Sequence, residues 1–122
     1  SSLDVSFSST HYSWQRAKLL PACPVELTLS LIGNKWKFLI VRDLLIETKR
    51  FSVLKRSIGS ISQKVLTDNL RQLEASGIVK RQVYAEVPPR VEYSLTPLGQ
   101  SLDSVLDAMM TWGDHYKSQY RH

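Results

Sequence analysis

The stretch that decides the fold runs from residue 61 to residue 82 and reads ISQKVLTDNLRQLEASGIVKRQ. Ser62 predicts the start of a helix, because its hydroxyl can accept a hydrogen bond from an unsatisfied amide of the first turn. Gly77 supplies a residue that readily adopts the left-handed conformation just past a helix end. Together these signals predict a helix from about residue 63 to residue 76.

The residues of this helix separate into two faces when they are placed at intervals of about 100°. The apolar side chains share one face: Val65, Leu66, Leu70 and Leu73. Polar side chains share the other: Gln63, Lys64, Thr67, Asp68 and Arg71. A polar face is commonly a solvated one. However, Gln, Lys, Thr and Arg also hydrogen-bond base edges and phosphates in a major groove wide enough to admit a helix.

The neighbouring segments favour DNA binding over simple solvation. A short helix is predicted over Phe51–Ile58, followed by a tight turn at Gly59 and Ser60, so residues 51–76 form a helix-turn-helix unit. Residues 79–84 and 91–95 alternate apolar and polar side chains around a proline-containing turn, which predicts a hairpin, or wing, over about 79–95. Lys49, Arg50 and Phe51 are expected to add a short strand to it. The predicted fold class is therefore α+β.

The net charge of +5 is concentrated on this unit. Residues 35–92 contain twelve basic and six acidic side chains, whereas the two flanking segments are nearly neutral. A basic surface binds nucleic acid through counterion release, independently of sequence. The charge pattern therefore indicates a double-stranded DNA partner.

Several functional classes are disfavoured by the sequence. It contains no glycine-rich phosphate loop, nucleophile elbow, His-Glu-x-x-His helix or cysteine pair, so we expect no enzyme activity, no catalytic residues, no cofactor and no metal site. It also contains neither an apolar run long enough to span a bilayer nor a signal peptide. We expect no membrane partner and a cytoplasmic location.

The N-terminal part is predicted to hold an arm and two further helices. Residues 1–13 contain six serines and are predicted to form a flexible arm. Residues 14–122 are predicted to form a single domain, which begins with a brief helix over residues 14–20. Pro24 can occupy the first position of the next helix, with Cys23 at its N-cap. That helix is evenly apolar and is expected to be largely buried. Asn34 can cap the following helix, in whose first turn Lys35 and Lys37 are expected to be exposed.

A long C-terminal helix is predicted from Pro97 to about residue 119, capped by Thr96. Six side chains repeat along it with the spacing of a helix-helix seam: Leu98, Leu102, Val105, Met109, Trp112 and Tyr116. An intramolecular core could explain the seam. Because the preceding elements already use the core of so small a domain, we expect these residues to form a homodimer interface.

Several motifs together resemble the HxlR-type winged helix-turn-helix regulators. The matching segments are Cys23-Pro24, Ile32–Trp36, Arg50-Phe51, Ile61–Leu66, Leu70–Glu74, Gly77–Val79, Pro88–Thr96 and Trp112-Gly113. One departure is Asn34, which stands where a second glycine is common. The resemblance implies a bacterial or archaeal-type transcription regulator that acts at promoter DNA and is dimeric through its terminal helices. Of the two directions of control, repression is expected.

Candidate DNA contacts divide by chemistry. Gln63 and Thr67 are the better candidates for base edges, because uncharged donor-acceptor groups discriminate between bases. Arg71 can clamp a phosphate or read guanine, and Asp68 can accept from cytosine or orient Arg71. The other predicted contacts, at the groove, the DNA backbone and the wing tip, are Ser62, Lys64, Lys35, Lys55, Arg56 and Arg90. For Arg90, an ion pair with Glu86 or Glu92 inside the hairpin is an equal alternative.

Cys23 is the one residue that could carry chemistry. A thiol at a helix N-terminus faces unpaired amides and the positive end of the helix dipole, which favour a reactive thiolate. In several HxlR-type regulators the cysteine of this Cys-Pro pair senses oxidants or electrophiles, so the resemblance implies a redox sensor at Cys23. A small structural side chain is the alternative.

The competing functional class is a winged-helix module that binds protein and has no specific DNA affinity. Such a module would tolerate replacement of Lys64 and Arg71 and would show little salt-dependent DNA binding. We prefer the DNA-binding interpretation because the surplus of positive charge lies on the helix-turn-helix and wing.

Overall fold

The computed structural model describes residues 22–120. The arm predicted over residues 1–13 and the brief helix predicted over 14–20 lie outside the described part. The described residues form two compact units, and the boundary between the units lies between Leu31 and Ile32. The first contributes most of one helix, and the second contains the helix-turn-helix, the wing and the C-terminal helix.

Six helices and three strands make up the described chain. In order they are α1 (Pro24–Ile32), α2 (Lys35–Ile46), β1 (Lys49–Arg50), α3 (Phe51–Ile58), α4 (Gln63–Ala75), β2 (Val79–Tyr84), β3 (Arg90–Leu95), α5 (Pro97–Gln100) and α6 (Asp103–Tyr120). The strands form one antiparallel sheet in the order β1-β3-β2. The predicted α+β winged helix-turn-helix is confirmed, with α3 and α4 as the helix pair and β2–β3 as the wing.

Helix α1 begins at Pro24, as predicted, and the carbonyl of Cys23 accepts a hydrogen bond from the amide of Leu27 at 2.9 Å. Val25 and Leu29 are exposed, and Ile32 is the buried residue of the helix. The prediction of a largely buried helix is therefore wrong. Apolar composition marks a surface that gains from being covered, but it does not determine that the same chain covers it.

Asn34 joins α2 to the helix-turn-helix. Its Oδ1 accepts the amide of Lys37 at 2.8 Å, which is the predicted N-cap, and its Nδ2 donates to Oδ1 of Asn69 in α4 at 3.1 Å. Asn69 is itself buried and donates to the carbonyl of Val65 at 2.8 Å. Asn34 has a φ of −102°, so this position does not require a glycine.

Lys37 departs from its predicted exposure. The residue is only 8% exposed, whereas Lys35 in the same helical turn is exposed. A lysine can bury its aliphatic stem along apolar neighbours while its ammonium group stays near solvent. The stem of Lys37 therefore belongs to the packed side of α2.

The core of the second unit lies between α2, α3, α4 and the sheet. Its buried apolar side chains are Ile32, Ile40, Val41, Leu44, Leu54, Ile61, Leu66, Leu70, Leu73, Ile78, Val79, Tyr93, Leu95 and Leu106. Three of these residues, Leu66, Leu70 and Leu73, belong to the predicted apolar stripe of α4, and the fourth member, Val65, is half-buried. Burying one such side chain contributes about 1.5–3 kcal/mol to the free energy of unfolding. The core thus holds α4 with its polar face outward.

The C-terminal segment is two helices and not the continuous helix predicted over residues 97–119. Thr96 caps α5 by accepting the amide of Gly99 at 3.0 Å, and a turn at Ser101 and Leu102 then separates α5 from α6. The amide of Leu102 bonds the carbonyl of Gly99 at 3.0 Å, three residues back, which tightens the turn beyond α-helical geometry. The seam predicted from one uninterrupted helix is therefore broken after Leu98.

Candidate nucleic-acid interface

Both ends of α4 are closed by local hydrogen bonds. The hydroxyl of Ser62 accepts the amide of Val65 at 3.1 Å, as its sequence position predicts. At the other end Gly77 has a φ of 80°, and the amide of Ile78 donates to the carbonyl of Leu73 at 3.0 Å. These caps position the helix, and the Ser62 hydroxyl, which accepts in the cap, can still donate its proton to a phosphate.

A groove of about 520 Å³ lies between α4 and the sheet. It is lined by Phe51, Gln63, Thr67, Leu70, Arg71, Glu74, Arg81, Val91 and Tyr93. Three of the predicted groove residues, Gln63, Thr67 and Arg71, therefore line one continuous surface. Donors, acceptors and positive charge are combined there on an exposed helix, which is the chemistry needed to contact base edges and phosphates.

The register of the hairpin decides which wing side chains face α4. Arg81 lies opposite Tyr93, a groove-lining residue of β3. Because side chains alternate between the two faces of a strand, the next register pair, Gln82 and Glu92, points to the other face. Arg90, two residues before Glu92 on β3, shares that opposite face. The two arginines of the wing thus lie on different sides of the sheet.

Arg90 is held by contacts within the hairpin. Its guanidinium is paired with both Glu86, at 2.9 Å, and Glu92, and it lies 3.9 Å from the centre of the Tyr84 ring. The hydrogen bond to Glu86 is the main cause that raises the pKa of Arg90, and Glu92 acts in the same direction. The intramolecular ion pair is therefore the arrangement present in this structure. A DNA contact by Arg90 stays a prediction and would require these partners to be exchanged.

Lys64 and Asp68 form an ion pair on the outer flank of α4. Nζ of Lys64 lies 2.9 Å from Oδ2 of Asp68, one helical turn away, and both side chains are solvent-exposed. The prediction that Asp68 orients Arg71 is not realised, since its partner is Lys64. An exposed pair of this kind contributes only about 0.3–0.5 kcal/mol. Lys64 can therefore exchange Asp68 for a phosphate at little cost.

The remaining predicted cations surround the helix pair. Arg56 is exposed on α3, and Lys55 is half-buried on the same helix. Lys35 is exposed, and its Nζ lies 4.5 Å from the centre of the Trp36 ring, a distance at which the ring attracts the ammonium group. All three remain predicted contacts to the DNA backbone.

Arg81 and Glu74 were not among the predicted site residues, although both line the groove. Alternation along β2 carries the missing signal for Arg81, because Arg81 follows Val79 by two residues and Val79 is buried against the helices. Glu74 follows Arg71 by three residues and therefore lies on the same side of α4. Its carboxylate places negative charge at the far end of the groove.

The predicted dimer residues and Cys23 lie elsewhere. Cys23 is exposed. The six predicted seam residues are all exposed or half-buried: Leu98, Leu102, Val105, Met109, Trp112 and Tyr116. Across residues 22–120, no group of three or more His, Cys, Asp or Glu side chains could hold a metal ion, and no helix is long and apolar enough to cross a membrane.

Comparison with known proteins identifies relatives of this architecture. The model of the family described as HxlR-like helix-turn-helix matches residues 31–121. The HTH-type transcriptional regulator YkvN of Bacillus subtilis is 49% identical over 98 residues, which cover 80% of this chain and 83% of that protein. An HTH-type transcriptional regulator of Methanothermobacter thermautotrophicus is 49% identical over 96 residues, covering 79% of this chain and 73% of that protein.

Solved structures show the same fold. The redox regulator HypR in its oxidized form matches with a TM-score of 0.73 at 48% identity, covering 76% of this chain and 96% of that chain. The reduced form of the transcriptional regulator YodB from B. subtilis matches with a TM-score of 0.70 at 40% identity, covering 79% of this chain and 95% of that chain.

Proposed function

The chain belongs to the HxlR-like helix-turn-helix family of transcriptional regulators, and we propose that it binds double-stranded DNA sequence-specifically as a homodimer. The observation that carries this proposal is the groove in which Gln63, Thr67 and Arg71 project from an exposed, capped helix beside the wing. Gln63 and Thr67 contact base edges, and Arg71 contacts a phosphate or guanine. As a promoter-binding protein it acts in the cytoplasm.

A second copy of the chain completes the DNA-binding unit. Helix α6 carries an exposed ladder of aromatic rings, in which Trp112 and Tyr116 have centroids 5.4 Å apart and Tyr116 and Tyr120 have centroids 4.7 Å apart. Such rings are the side chains that stabilise protein interfaces most strongly. Two copies related by a twofold axis would present two α4 helices about 34–36 Å apart, matching a palindromic operator. Such a dimer seated over a promoter would repress transcription.

The proposal is tested on a DNA duplex that the protein itself selects from a random-sequence pool. Fluorescence anisotropy against salt concentration should give an association constant that falls steeply and linearly on a double-logarithmic plot. Arg71→Ala should weaken binding about tenfold at 0.1 M salt. Lys117→Ala removes the same charge from the last turn of α6, away from the groove, and should bind like wild type.

The competing protein-binding module makes the opposite prediction. In that case the selection would enrich no sequence, affinity would be weak at every salt concentration, and Arg71→Ala would behave like Lys117→Ala. A lack of enrichment would overturn the DNA-binding proposal, whereas equality of the two variants on an enriched duplex would overturn the Arg71 contact.

We also propose that Cys23 is the signal input, because its side chain is exposed and two relatives were solved in defined redox states. As the only cysteine in the sequence, it can form a disulfide with a second subunit or with a small thiol. Anisotropy of reduced protein on the selected duplex should change after treatment with diamide, a thiol oxidant, whereas Cys23→Ser should not respond. An equal response of both proteins would exclude Cys23 as the sensor.

A further inference from the structure

One cation in the groove comes from the sheet and not from the reading helix. Arg81 lies on β2, opposite Tyr93 in the register, and both residues line the groove with Gln63 and Thr67. The side chain is exposed, so its guanidinium is accessible from solvent. The groove therefore has a positive side chain on each wall, Arg71 from the helix and Arg81 from the wing.

Within residues 22–120, Arg81, like Arg71, differs from Lys64 and Arg90 in having no carboxylate partner. Lys64 is paired with Asp68, and Arg90 is paired with two glutamates. Among the described residues, no carboxylate oxygen lies within 4 Å of a nitrogen of Arg81, although Glu74 lines the same groove. Because no internal ion pair has to be broken, an incoming anion gains the full charge-assisted hydrogen bond.

We propose that Arg81 is a DNA-contacting residue that binds a backbone phosphate beside the bases read by α4, an inference that rests on the proposed DNA-binding function. A helix nearly fills the major groove, which is about 12 Å wide, so an element packed beside that helix meets the groove wall. The wall consists of phosphates. A guanidinium matches a phosphate with two parallel hydrogen bonds, which fixes the position of the wing on the duplex.

This role separates Arg81 from its neighbours on the wing. Lys80 is also exposed, but it lies one residue earlier on β2 and therefore points to the opposite face. Arg90 is on that opposite face too, enclosed by Glu86 and Glu92. Arg81 is therefore the wing arginine on the α4 side, and the contact proposed for it is separate from the one predicted for Arg90.

The test compares Arg81→Ala with Lys80→Ala, which removes the same charge from the adjacent position. Both are titrated against the selected duplex at several salt concentrations, beside wild type and Arg81→Lys. Loss of one phosphate contact should lower the magnitude of the salt slope by about 0.9 and weaken binding about eightfold at 0.1 M salt in Arg81→Ala. Lys80→Ala should keep the wild-type slope, and Arg81→Lys should keep most of it.

The outcomes distinguish this inference from the proposed function. If wild type binds the duplex but Arg81→Ala and Lys80→Ala have equal slopes, the Arg81 contact is overturned while DNA binding stands. If Arg81→Ala keeps the slope and loses preference at one base pair, Arg81 reads a base and the phosphate contact is overturned. If the wild-type protein enriches no sequence from the pool and binds no duplex, both proposals fail. Equal thermal melting temperatures of the two variants establish that both are folded, so that a difference between their salt slopes reflects DNA binding.

Discussion

Helices α4 and α6 are the two long amphipathic helices beside the core, and they leave opposite kinds of surface exposed. Helix α4 buries Leu66, Leu70 and Leu73 and exposes polar and charged side chains. Helix α6 is longer but buries Leu106 alone, whereas large apolar residues such as Trp112, at 64% exposure, remain in contact with solvent. Within residues 22–120, one helix has buried its apolar face and the other has not.

This difference separates two kinds of function. An exposed polar helix that is anchored by a packed face can contact a charged partner without losing stability. When a second apolar surface covers an exposed apolar helix, apolar area is removed from water and the free energy of association becomes more favourable. Helix α4 is therefore suited to binding DNA, and α6 is suited to binding another protein surface. The apolar surface of α6 continues into a cleft between α2 and α6, whose lining includes Phe38, Leu39 and Met109.

The largest effect is expected from the buried face of α4. Leu66→Ala should lower the free energy of unfolding by about 2–5 kcal/mol, because Leu66 is fully buried and its truncation leaves a cavity. Met110→Ala removes an apolar side chain from the exposed part of α6 and should cost less than about 1 kcal/mol. Urea unfolding at low protein concentration measures both values. Similar losses would mean that α6 is as well anchored as α4.

The next effect concerns self-association through α6. Trp112→Ala should weaken the proposed dimer by about 2 kcal/mol or more, which is roughly a thirtyfold increase in the dissociation constant, because a large exposed ring is lost from the seam. Asp114→Ala lies on another side of α6 and should associate like wild type. Sedimentation velocity over a concentration series gives the constants. An unchanged dimer in Trp112→Ala would contradict the seam.

A smaller effect is expected where α2 is tied to α4. Asn34→Ala removes both the cap of α2 and the bond to Asn69, and should cost about 1–2 kcal/mol of unfolding free energy. Asn34→Ser keeps an oxygen that can accept the amide of Lys37 but lacks the amide group that donates to Asn69, so its loss should be smaller. Thermal unfolding distinguishes the two variants. Equal losses would show that the bond to Asn69, and not the cap, accounts for the effect.

The smallest effect is expected from the exposed flank of α4. Asp68→Asn should change the free energy of unfolding by less than about 0.5 kcal/mol, because it breaks only a surface ion pair with Lys64. DNA affinity should rise by a few fold as Lys64 becomes available to phosphate. Asp103→Asn, in the first turn of α6, is the matched control. A loss of affinity in Asp68→Asn would instead indicate that Asp68 accepts a hydrogen bond from cytosine.

Features that depend on local geometry were predictable from the sequence. The limits and faces of α4 follow from Ser62, Gly77 and the spacing of its leucines, and the structure confirms each. The cap formed by Asn34 was likewise predictable, since an N-cap involves only residues three or four positions apart. The winged helix-turn-helix fold followed from the order of such elements.

Features that depend on contacts between distant residues were not predictable in this way. The burial of Lys37 and the turn after α5 depend on how neighbouring elements pack, and Gly99 illustrates this because a Cβ there would lie 2.2 Å from the carbonyl oxygen of Ile78. Gly99 permits the close approach of α5, but the sequence around residue 99 does not identify Ile78 as the partner. A periodicity that ignores this contact predicts one helix where the chain forms two.

The sequence by itself determined which helix has a polar face, where it begins and ends, and that the basic surplus lies around it. Only the tertiary structure decided that the face of β2 shared by Val79 and Arg81 lies against α4, and that Arg90 is enclosed with Glu86 and Glu92 on the other side of the sheet. The physical reason is the register of β2 against β3. A shift of one residue exchanges every side chain between the two faces, and that register is set by packing against the core.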